Sequence, residues 1–238
     1  MDTSLKRIMA YIIDVLILTI VFSVFINFKI FNPYIDKYND TYTEYTNLIE
    51  DANAGEIETD TDEYANKIID LNYRLNRYKV VSSSISTAGF LIYFGILQFF
   101  LKGQTIGKKI MKIKVIANKE NKKLNIGNYI IRSLILNNII INLVFIIGAY
   151  IFDKSTYYYV SLAATYIQIV IMAAIILMVM LRKDNRGLHD MLAGTKVIDL
   201  AVDDANENKE EIVVVEKKQI KKTDNSVKKG QRKHLNRK

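Results

Sequence analysis

The sequence predicts an all-α polytopic membrane protein: a four-transmembrane-helix bundle with an extracytoplasmic helical hairpin and a small cytoplasmic β element. Three observations lead to this fold class. Half of the 238 residues are hydrophobic, and they are gathered into long blocks interrupted by polar links. Positive and negative charges fall in different links. Two short segments near the polar links alternate apolar and charged residues, as strands do.

Four apolar blocks are long enough to cross a bilayer. Each holds about 20 residues, and about 20 residues at 1.5 Å per residue cover about 30 Å of hydrocarbon. Backbone groups in lipid must be satisfied within the segment, so each block predicts a helix. The predicted spans are residues 8–31, 83–101, 129–152 and 157–181. The third is the weakest, because it carries Arg132, Asn137, Asn138 and Asn142.

Charges in the links predict the orientation. The link between the second and third spans carries eight lysines and a single acid, Glu120, whereas the link between the first and second spans is acidic. Cytoplasmic loops are enriched in lysine and arginine. We therefore expect a multi-pass protein of the cell membrane with both termini cytoplasmic. The first block contains Asp14 and is not followed by a small-residue cleavage site, so we expect a retained anchor.

These spans divide the chain into seven segments. They are a first transmembrane helix with a cytoplasmic N-terminus (1–31), an extracytoplasmic acidic helical hairpin (32–80), a second transmembrane helix (81–101), a cytoplasmic lysine-rich loop (102–127), the third and fourth transmembrane helices (128–182), a cytoplasmic LHD-x-x-AGT segment (183–200) and a basic, largely disordered cytoplasmic tail (201–238).

The acidic segment is predicted to form two antiparallel helices that stand outside the membrane and continue the first and second spans. Apolar and tyrosine residues recur at helical spacing over residues 35–49 and again over residues 68–78. Gly55 is a stop signal, and Asp60 followed three residues later by Glu63 is a start signal. A solvated spacer with partial helix remains the alternative for this segment.

Asp14 is the strongest functional signal in the sequence. It lies seven residues after Arg7, on the same helix face, roughly 10 Å inside the first span at 1.5 Å per residue. An ionised aspartate at the middle of a span costs about 2.5–3.5 kcal/mol on insertion scales. Asp14 must therefore face protein or water and be paired or protonated. It is either an ion or proton site or half of an ion pair that locks helix packing.

Two short alternating segments are predicted to lie on the cytoplasmic side of the membrane. KIKVI, after the second span, and TKVI, after the fourth, alternate in the same way, so we expect them to pair as a small sheet.

GQTIGKK is not a phosphate-binding loop, because three residues rather than four separate the glycines and Lys109 stands where serine or threonine is needed. His189 lies beside Asp190 and could titrate near neutral pH as a proton relay, or act as a simple hydrogen-bonding residue.

Composition argues against most catalytic classes. The chain has no cysteine and only two histidines, so we expect no disulfide, thiol nucleophile or metal centre. No G-x-S-x-G segment is present. We therefore expect no enzymatic activity and no cofactor. The basic tail has no aromatic residues between its charges, so we expect anionic lipid headgroups of the bilayer rather than nucleic acid as its partner.

Several of these segments together resemble the RDD family of prokaryotic integral membrane proteins, which is named for one arginine and two aspartates. Arg7 matches the arginine, Asp14 the first aspartate and Asp190, in LHDMLAGTKVI, the second. GQTIGKKIMKIKVI is similar to the T-x-G-K segment of the family, and IGNYIIRSL to its next helix, which carries Arg132. The acidic hairpin and the basic tail lie outside the resemblance.

The resemblance implies transport, with cation/proton antiport among the proposals for the family. We expect a small secondary transporter that exchanges a monovalent cation for protons, and a homo-oligomer, because four helices are few for alternating access. The candidate ion or proton residues are Asp14, Arg7, Arg132, Asp190, His189 and Arg186. The candidate residues of a polar pathway are Asn138, Asn142, Ser161, Thr165 and Gln168. Hydrogen bonding between helices explains the pathway residues equally well.

A protein of another class remains the alternative. In that hypothesis the chain is a non-transporting membrane scaffold or assembly factor, and its outer hairpin binds a cell-surface protein partner.

Overall fold

The computed structural model describes residues 2–119 and 122–201. The chain divides into two compact units, residues 1–197 and 198–238. The second unit is described only as far as Ala201, so the predicted basic tail lies outside the described residues. The described residues are mostly helical and contain one small two-stranded sheet, formed by the segments predicted as strands.

Helix α1, Thr3–Asn27, carries the first apolar block. The side chain of its N-cap, Asp2, accepts a hydrogen bond from the Ser4 N–H at 3.3 Å, which satisfies one of the free donors at the helix start. The buried residues of α1 recur every three or four positions and form one stripe; they are Ser4, Arg7, Ala10, Asp14 and Leu18. The other faces expose apolar side chains such as Leu16 and Ile20, as a helix in contact with lipid does.

The acidic segment contains two helices that pack together, α2 (Ile35–Asn53) and the first part of α3 (Asp62–Leu91). Helix α2 ends just before Gly55, which has a φ of 75° and takes the left-handed conformation that favours glycine. The cap of α3 is Thr61, whose hydroxyl accepts the Tyr64 N–H at 3.2 Å. The start signal was therefore assigned one residue too early, at Asp60.

The first span does not continue into the hairpin, because α1 ends at Asn27 and α2 begins at Ile35. The second predicted span does continue the hairpin, as expected. It continues α3 through a π-helical segment, Ile92–Leu97, and a last turn, α4 (Gln98–Phe100). The whole rod, Asp62–Phe100, has 39 residues. A π-helical turn shifts the side chains that follow it around the helix axis and often occurs at functional sites. Here the π-helical segment contains the buried residues Tyr93, Phe94 and Gly95.

The third predicted span is broken in its middle. Helices α6 (Ile126–Leu136) and α7 (Ile139–Ile151) meet at an angle of 66°. Asn138, at the break, has a φ of 49°, and asparagine adopts this left-handed conformation more readily than most residues. The break therefore lies at Asn137 and Asn138, two of the polar residues that lower the hydropathy of this span.

Helix α8, Lys154–Leu181, carries the fourth block. Its N-cap, Asp153, accepts the N–H groups of Ser155 and Thr156, each at 3.1 Å. Within the described residues, three helices are long and apolar enough to cross a membrane, and there are four if the bent pair α6–α7 counts as one.

Four short elements complete the described structure: α5 (Ile106–Ile110), β1 (Ile113–Ala117), α9 (Leu188–Ala193) and β2 (Thr195–Asp199). The predicted pairing of the two alternating segments is confirmed, since β1 and β2 form one sheet. Ile113 and Val115 turn inward, with 0% and 1% of their surface exposed. Beside the sheet, Gly103 has a φ of 91°, and a Cβ there would lie 2.3 Å from the carbonyl oxygen of Val115.

Candidate functional site

Two aspartates lie in the interior of the first unit, and neither exposes any surface to solvent. Asp14 belongs to α1 and Asp190 to α9. A buried carboxylate is stable only when charge or hydrogen bonds compensate for its lost hydration. The two residues obtain this compensation in different ways, so their partners distinguish them.

Asp190 is held by two arginines. Arg7 of α1 forms an ion pair with its Oδ2, and Arg132 of α6 forms one with its Oδ1. The Thr195 hydroxyl donates to Oδ1 at 2.9 Å, and the Gly187 N–H donates to Oδ2 at 3.3 Å. This carboxylate therefore ties three helices together, and two positive charges surround it.

Further hydrogen bonds brace this cluster. Arg186 donates from Nε to the Thr195 carbonyl at 3.0 Å and from Nη2 to the Asp190 carbonyl at 3.4 Å. The Asn185 carbonyl accepts from Arg7, and the Ser4 hydroxyl donates to the Asn185 side-chain oxygen at 2.8 Å. Arg186 thus fixes the turn that presents Asp190, without an ion pair to that aspartate.

His189 lies against the same cluster but does not suit a proton relay. Its Nε2 is 3.3 Å from Asp190 Oδ2 and 3.4 Å from Arg7 Nη2. Among the residues that the structure describes, its buried Nδ1 has no hydrogen-bond partner. Burial, and then the positive charges of Arg132 and Arg7, lower the pKa of His189 well below its usual value. This direction favours the alternative expectation, a simple hydrogen-bonding residue, over a proton relay.

Asp14 forms no ion pair with any residue that the structure describes. The Tyr93 hydroxyl and the Gly107 N–H each donate to its Oδ1 at 2.7 Å, and the Thr105 hydroxyl donates to its Oδ2. Arg7 and Arg132, two of the candidate ion or proton residues, form their ion pairs with Asp190 instead. Neutral donors alone hold the carboxylate of Asp14.

The T-x-G-K segment is the part of the chain that closes over Asp14. Thr105 caps α5, and Gly107 lets this helix approach α1, because a Cβ at Gly107 would lie 2.1 Å from the Ala10 carbonyl oxygen and 3.0 Å from Asp14 Cγ. The N-terminal end of α5 thus points the Gly107 N–H at a carboxylate, and this end of a helix favours an anion.

Lys108 follows in the same turn and is buried, with 6% of its surface exposed. Its Nζ lies 3.3 Å from the Thr105 hydroxyl and 5.3 Å from the centre of the Phe94 ring. Burial, and then the positive charge of Arg132, lower the pKa of Lys108 to about 7, although the negative charge of Asp14 opposes this shift. Lys108 thus reaches the surroundings of Asp14 through the Thr105 hydroxyl.

Sequence reasoning missed several members of the site. Thr105, Gly107 and Lys108 were assigned to a loop, although the Thr-x-Gly-Lys spacing before a short apolar stretch is typical of a capped helix turn that packs closely. Tyr93 and Thr195 gave no signal of their own. Their roles depend on contacts with residues 79 and 5 positions away, respectively.

The five predicted pathway residues line two cavities. One, of about 480 Å³, touches Asn138, Asn142 and Gln168; the other, of about 400 Å³, touches Asn142, Ser161, Thr165 and Gln168. The Ser161 and Thr165 hydroxyls donate to carbonyls of their own helix, those of Tyr158 and Ser161, each at 2.8 Å. The three amide side chains make no hydrogen bond to any described residue.

Comparison with known proteins gives a family. The model of the RDD family matches residues 3–194, a range that contains Arg7, Asp14, Arg132 and Asp190. RDD domains are membrane-associated, in agreement with the apolar helices described above. No curated protein and no solved structure matches the chain. Since the match covers most of the 238 residues, the chain belongs to the RDD family.

Proposed function

We propose that this RDD-family membrane protein is a small secondary transporter that exchanges a monovalent cation for protons at Asp14. The observation that carries the proposal is the difference between the two buried aspartates. Asp190 is neutralised by two arginines, whereas Asp14 forms no ion pair with any described residue. A buried carboxylate held only by neutral donors can take up either a proton or a cation.

The atoms around Asp14 have the chemistry that a small hard cation requires. The carboxylate oxygens and the hydroxyl oxygens of Tyr93 and Thr105 lie within hydrogen-bond distance of one another. Oxygen ligands of this kind suit hard cations. Either a cation or a proton would remove the cost of an uncompensated charge inside the protein. Binding of one therefore excludes the other, which is the requirement for exchange.

Contacts along α3 support four crossings. The Ser133 hydroxyl of α6 donates to the Phe90 carbonyl at 3.4 Å, and the Tyr73 hydroxyl donates to the Ala149 carbonyl of α7 at 3.2 Å. Residues 73 and 90 of a helix are about 25 Å apart along its axis at 1.5 Å per residue. The contacts of the bent pair α6–α7 are therefore spread along α3 over nearly the thickness of the hydrocarbon core. A broken span extends over this distance, whereas a re-entrant loop does not.

In this arrangement the hairpin formed by α2 and the start of α3 lies at one end of a four-helix bundle, and Arg7, Asp190 and the sheet lie at the other. The lysines around α5 and β1 support a cytoplasmic position for the second end, where they would face anionic headgroups. The hairpin is then extracytoplasmic and the protein is multi-pass in the cell membrane. We also propose a homo-oligomer, since four crossing helices are few for alternating access.

The test is cation-driven proton flux in liposomes that contain the purified protein, read with an internal pH dye. Asp14→Asn keeps the size of the side chain and one acceptor oxygen but removes its charge, so flux under sodium, potassium or lithium gradients should disappear while membrane insertion persists. Asp184→Asn is the matched control, because Asp184 is exposed and pairs only locally with Arg182 and Arg186; it should retain flux. Full flux in Asp14→Asn would overturn the mechanism.

A scaffold is the alternative function, and the surface of the hairpin is what favours it. Tyr38 and Tyr42 stack with their ring centres 6.1 Å apart, and Tyr42 is 51% exposed. Exposed aromatic residues are common at protein interfaces. A complete absence of flux under every gradient would favour this alternative and a protein partner at the hairpin.

A further inference from the structure

A polar cavity lies apart from both aspartates, and we call it the amide cavity. Its volume is about 480 Å³, and its walls come from α1, α2, α3, α7 and α8 and from the two links Asn32 and Asn137–Asn138. Pockets that hold small organic ligands are of this size. Most of its lining residues belong to helices that can cross a membrane, so the polar groups in it require an explanation.

Several side-chain amide groups of the amide cavity lack partners. Among the described residues, nothing accepts from or donates to the side-chain amides of Asn138, Asn142 and Gln168. Asn32 is 2% exposed, and its Oδ1 also has no hydrogen-bond partner in that part of the chain. Each amide offers two donors and an acceptor. Unpaired polar groups at membrane depth are costly, so water or a ligand must satisfy them.

The charge of the lining excludes a cation as the natural occupant. Lys79 is the single charged residue among the described residues that line the amide cavity, and no carboxylate does. A cation would lose hydration there with no compensating negative charge, and Lys79 would repel it. The cavity therefore suits a neutral or anionic molecule. The predicted pathway residues Asn138, Asn142 and Gln168 are accordingly unsuited to conduct cations.

Four rings complete the lining: Tyr11, Tyr38, Tyr78 and Phe90. Aromatic rings offer flat apolar faces, and amides exchange paired hydrogen bonds with neighbouring hydroxyl groups. We propose that the amide cavity binds a polyhydroxylated organic molecule, neutral or singly anionic, such as a sugar, a sugar acid or the sugar headgroup of a lipid. This site is separate from Asp14 and does not depend on cation exchange.

The absence of cysteine from the chain provides the first test. Ser83 lines the amide cavity, so Ser83→Cys places a single thiol inside it. The anionic reagent sulfonatoethyl methanethiosulfonate should modify this thiol about tenfold faster than the cationic trimethylammonium reagent, because Lys79 concentrates anions locally. Asn39→Cys, on the exposed surface of α2, corrects for the intrinsic rates of the two reagents. Equal or faster cationic modification after that correction would overturn the proposal.

Protection by ligand is the second test. Glucose, sucrose or gluconate should slow modification of Ser83→Cys saturably in detergent, or a glucosyl diacylglycerol should do so in nanodiscs; the arm that protects identifies a free solute or a lipid as the source. Adding Asn142→Ala and Gln168→Ala should abolish protection, and Asn39→Ala should not. Because those two amides make no described hydrogen bond, their loss should leave the fold intact. No protection in either arm would mean that the cavity holds water only.

Discussion

At the scale of the residue, the partners of a buried carboxylate decide its role. Asp14 and Asp190 are the same residue type and are equally inaccessible. Asp190 has two guanidinium groups as counter-charges, which suits a structural junction of α1, α6 and α9. Asp14 has hydroxyl groups and a backbone amide, which suits reversible occupation. The two substitutions should therefore have different consequences.

Asp190→Asn should destabilise the protein strongly, because it leaves Arg7 and Arg132 buried without their carboxylate. Breaking a buried ion pair by removing one partner costs about 3–5 kcal/mol. The measurement is unfolding in detergent by heat or denaturant, with Asp184→Asn as the exposed control. Asp14→Asn should lose flux at a much smaller cost in stability. An Asp190→Asn protein as stable as the wild type would contradict the structural role of the cluster.

His189 should make stability depend on pH on the acidic side. Its pKa in the folded protein is lowered by burial and by Arg132 and Arg7, whereas in the unfolded chain it is near the ordinary value of about 6.5. Below about pH 6.5 the unfolded chain binds a proton that the folded protein does not, so stability falls as the pH falls and is fully present above that value.

The measurement is the unfolding temperature between about pH 5 and pH 8, and His189→Gln should flatten the acidic part of the profile. A variant that loses stability with acid as steeply as the wild type would show that other groups cause the effect.

At the scale of the element, the short helix α5 has more influence on the site than its five residues suggest. It closes over α1 and supplies two of the three groups that donate to Asp14. The π-helical segment supplies the third, Tyr93. Tyr93 also accepts the Ile106 N–H at 3.1 Å, so this hydroxyl links the long rod to α5 as well as to α1.

Gly107→Ala should separate α5 from α1. The new Cβ would lie 2.1 Å from the Ala10 carbonyl, and overpacking of this kind costs about 1–3 kcal/mol. Flux should fall with stability, because the Gly107 N–H and the Thr105 hydroxyl would both move away from Asp14. Gly95→Ala is the control, since its Cβ would meet nothing closer than 3.5 Å. Liposome flux and unfolding temperature measure the two effects, and an active, stable Gly107→Ala would contradict this packing.

At the scale of the whole molecule, the question is how many times the chain crosses the membrane. The apolar helices allow three or four crossings, and the progress of α6–α7 along α3 favours four. With four crossings, the end of α8 lies on the same side as α5. With a re-entrant α6–α7, it would lie on the opposite side.

Single cysteines in the cysteine-free chain distinguish these arrangements. Asn53, Lys109 and Lys183 are exposed, and each can be replaced in turn. In intact cells an impermeant thiol reagent should label Asn53→Cys and spare Lys109→Cys and Lys183→Cys until the membrane is permeabilised. Labelling of Lys183→Cys in intact cells would show three crossings and a re-entrant α6–α7.

The sequence by itself determined the features that depend on local composition. The length of the apolar blocks predicted the helices, because a span must satisfy its backbone hydrogen bonds within one segment. The alternation of apolar and charged residues predicted β1 and β2, because successive side chains in a strand point to opposite faces. The motif residues Arg7, Asp14 and Asp190 gave the family. The polar residues within the third apolar block were also informative, since the helix breaks at Asn138.

Only the tertiary structure decided which charges meet. Arg7 is far closer in sequence to Asp14 than to Asp190, yet it pairs with Asp190, 183 positions away. Periodicity showed that Arg7 and Asp14 share a face of α1 but not what packs against that face. Helix packing brings α9 to Arg7 and α5 to Asp14. A local sequence pattern does not predict these contacts, because they form between segments that are distant in the chain.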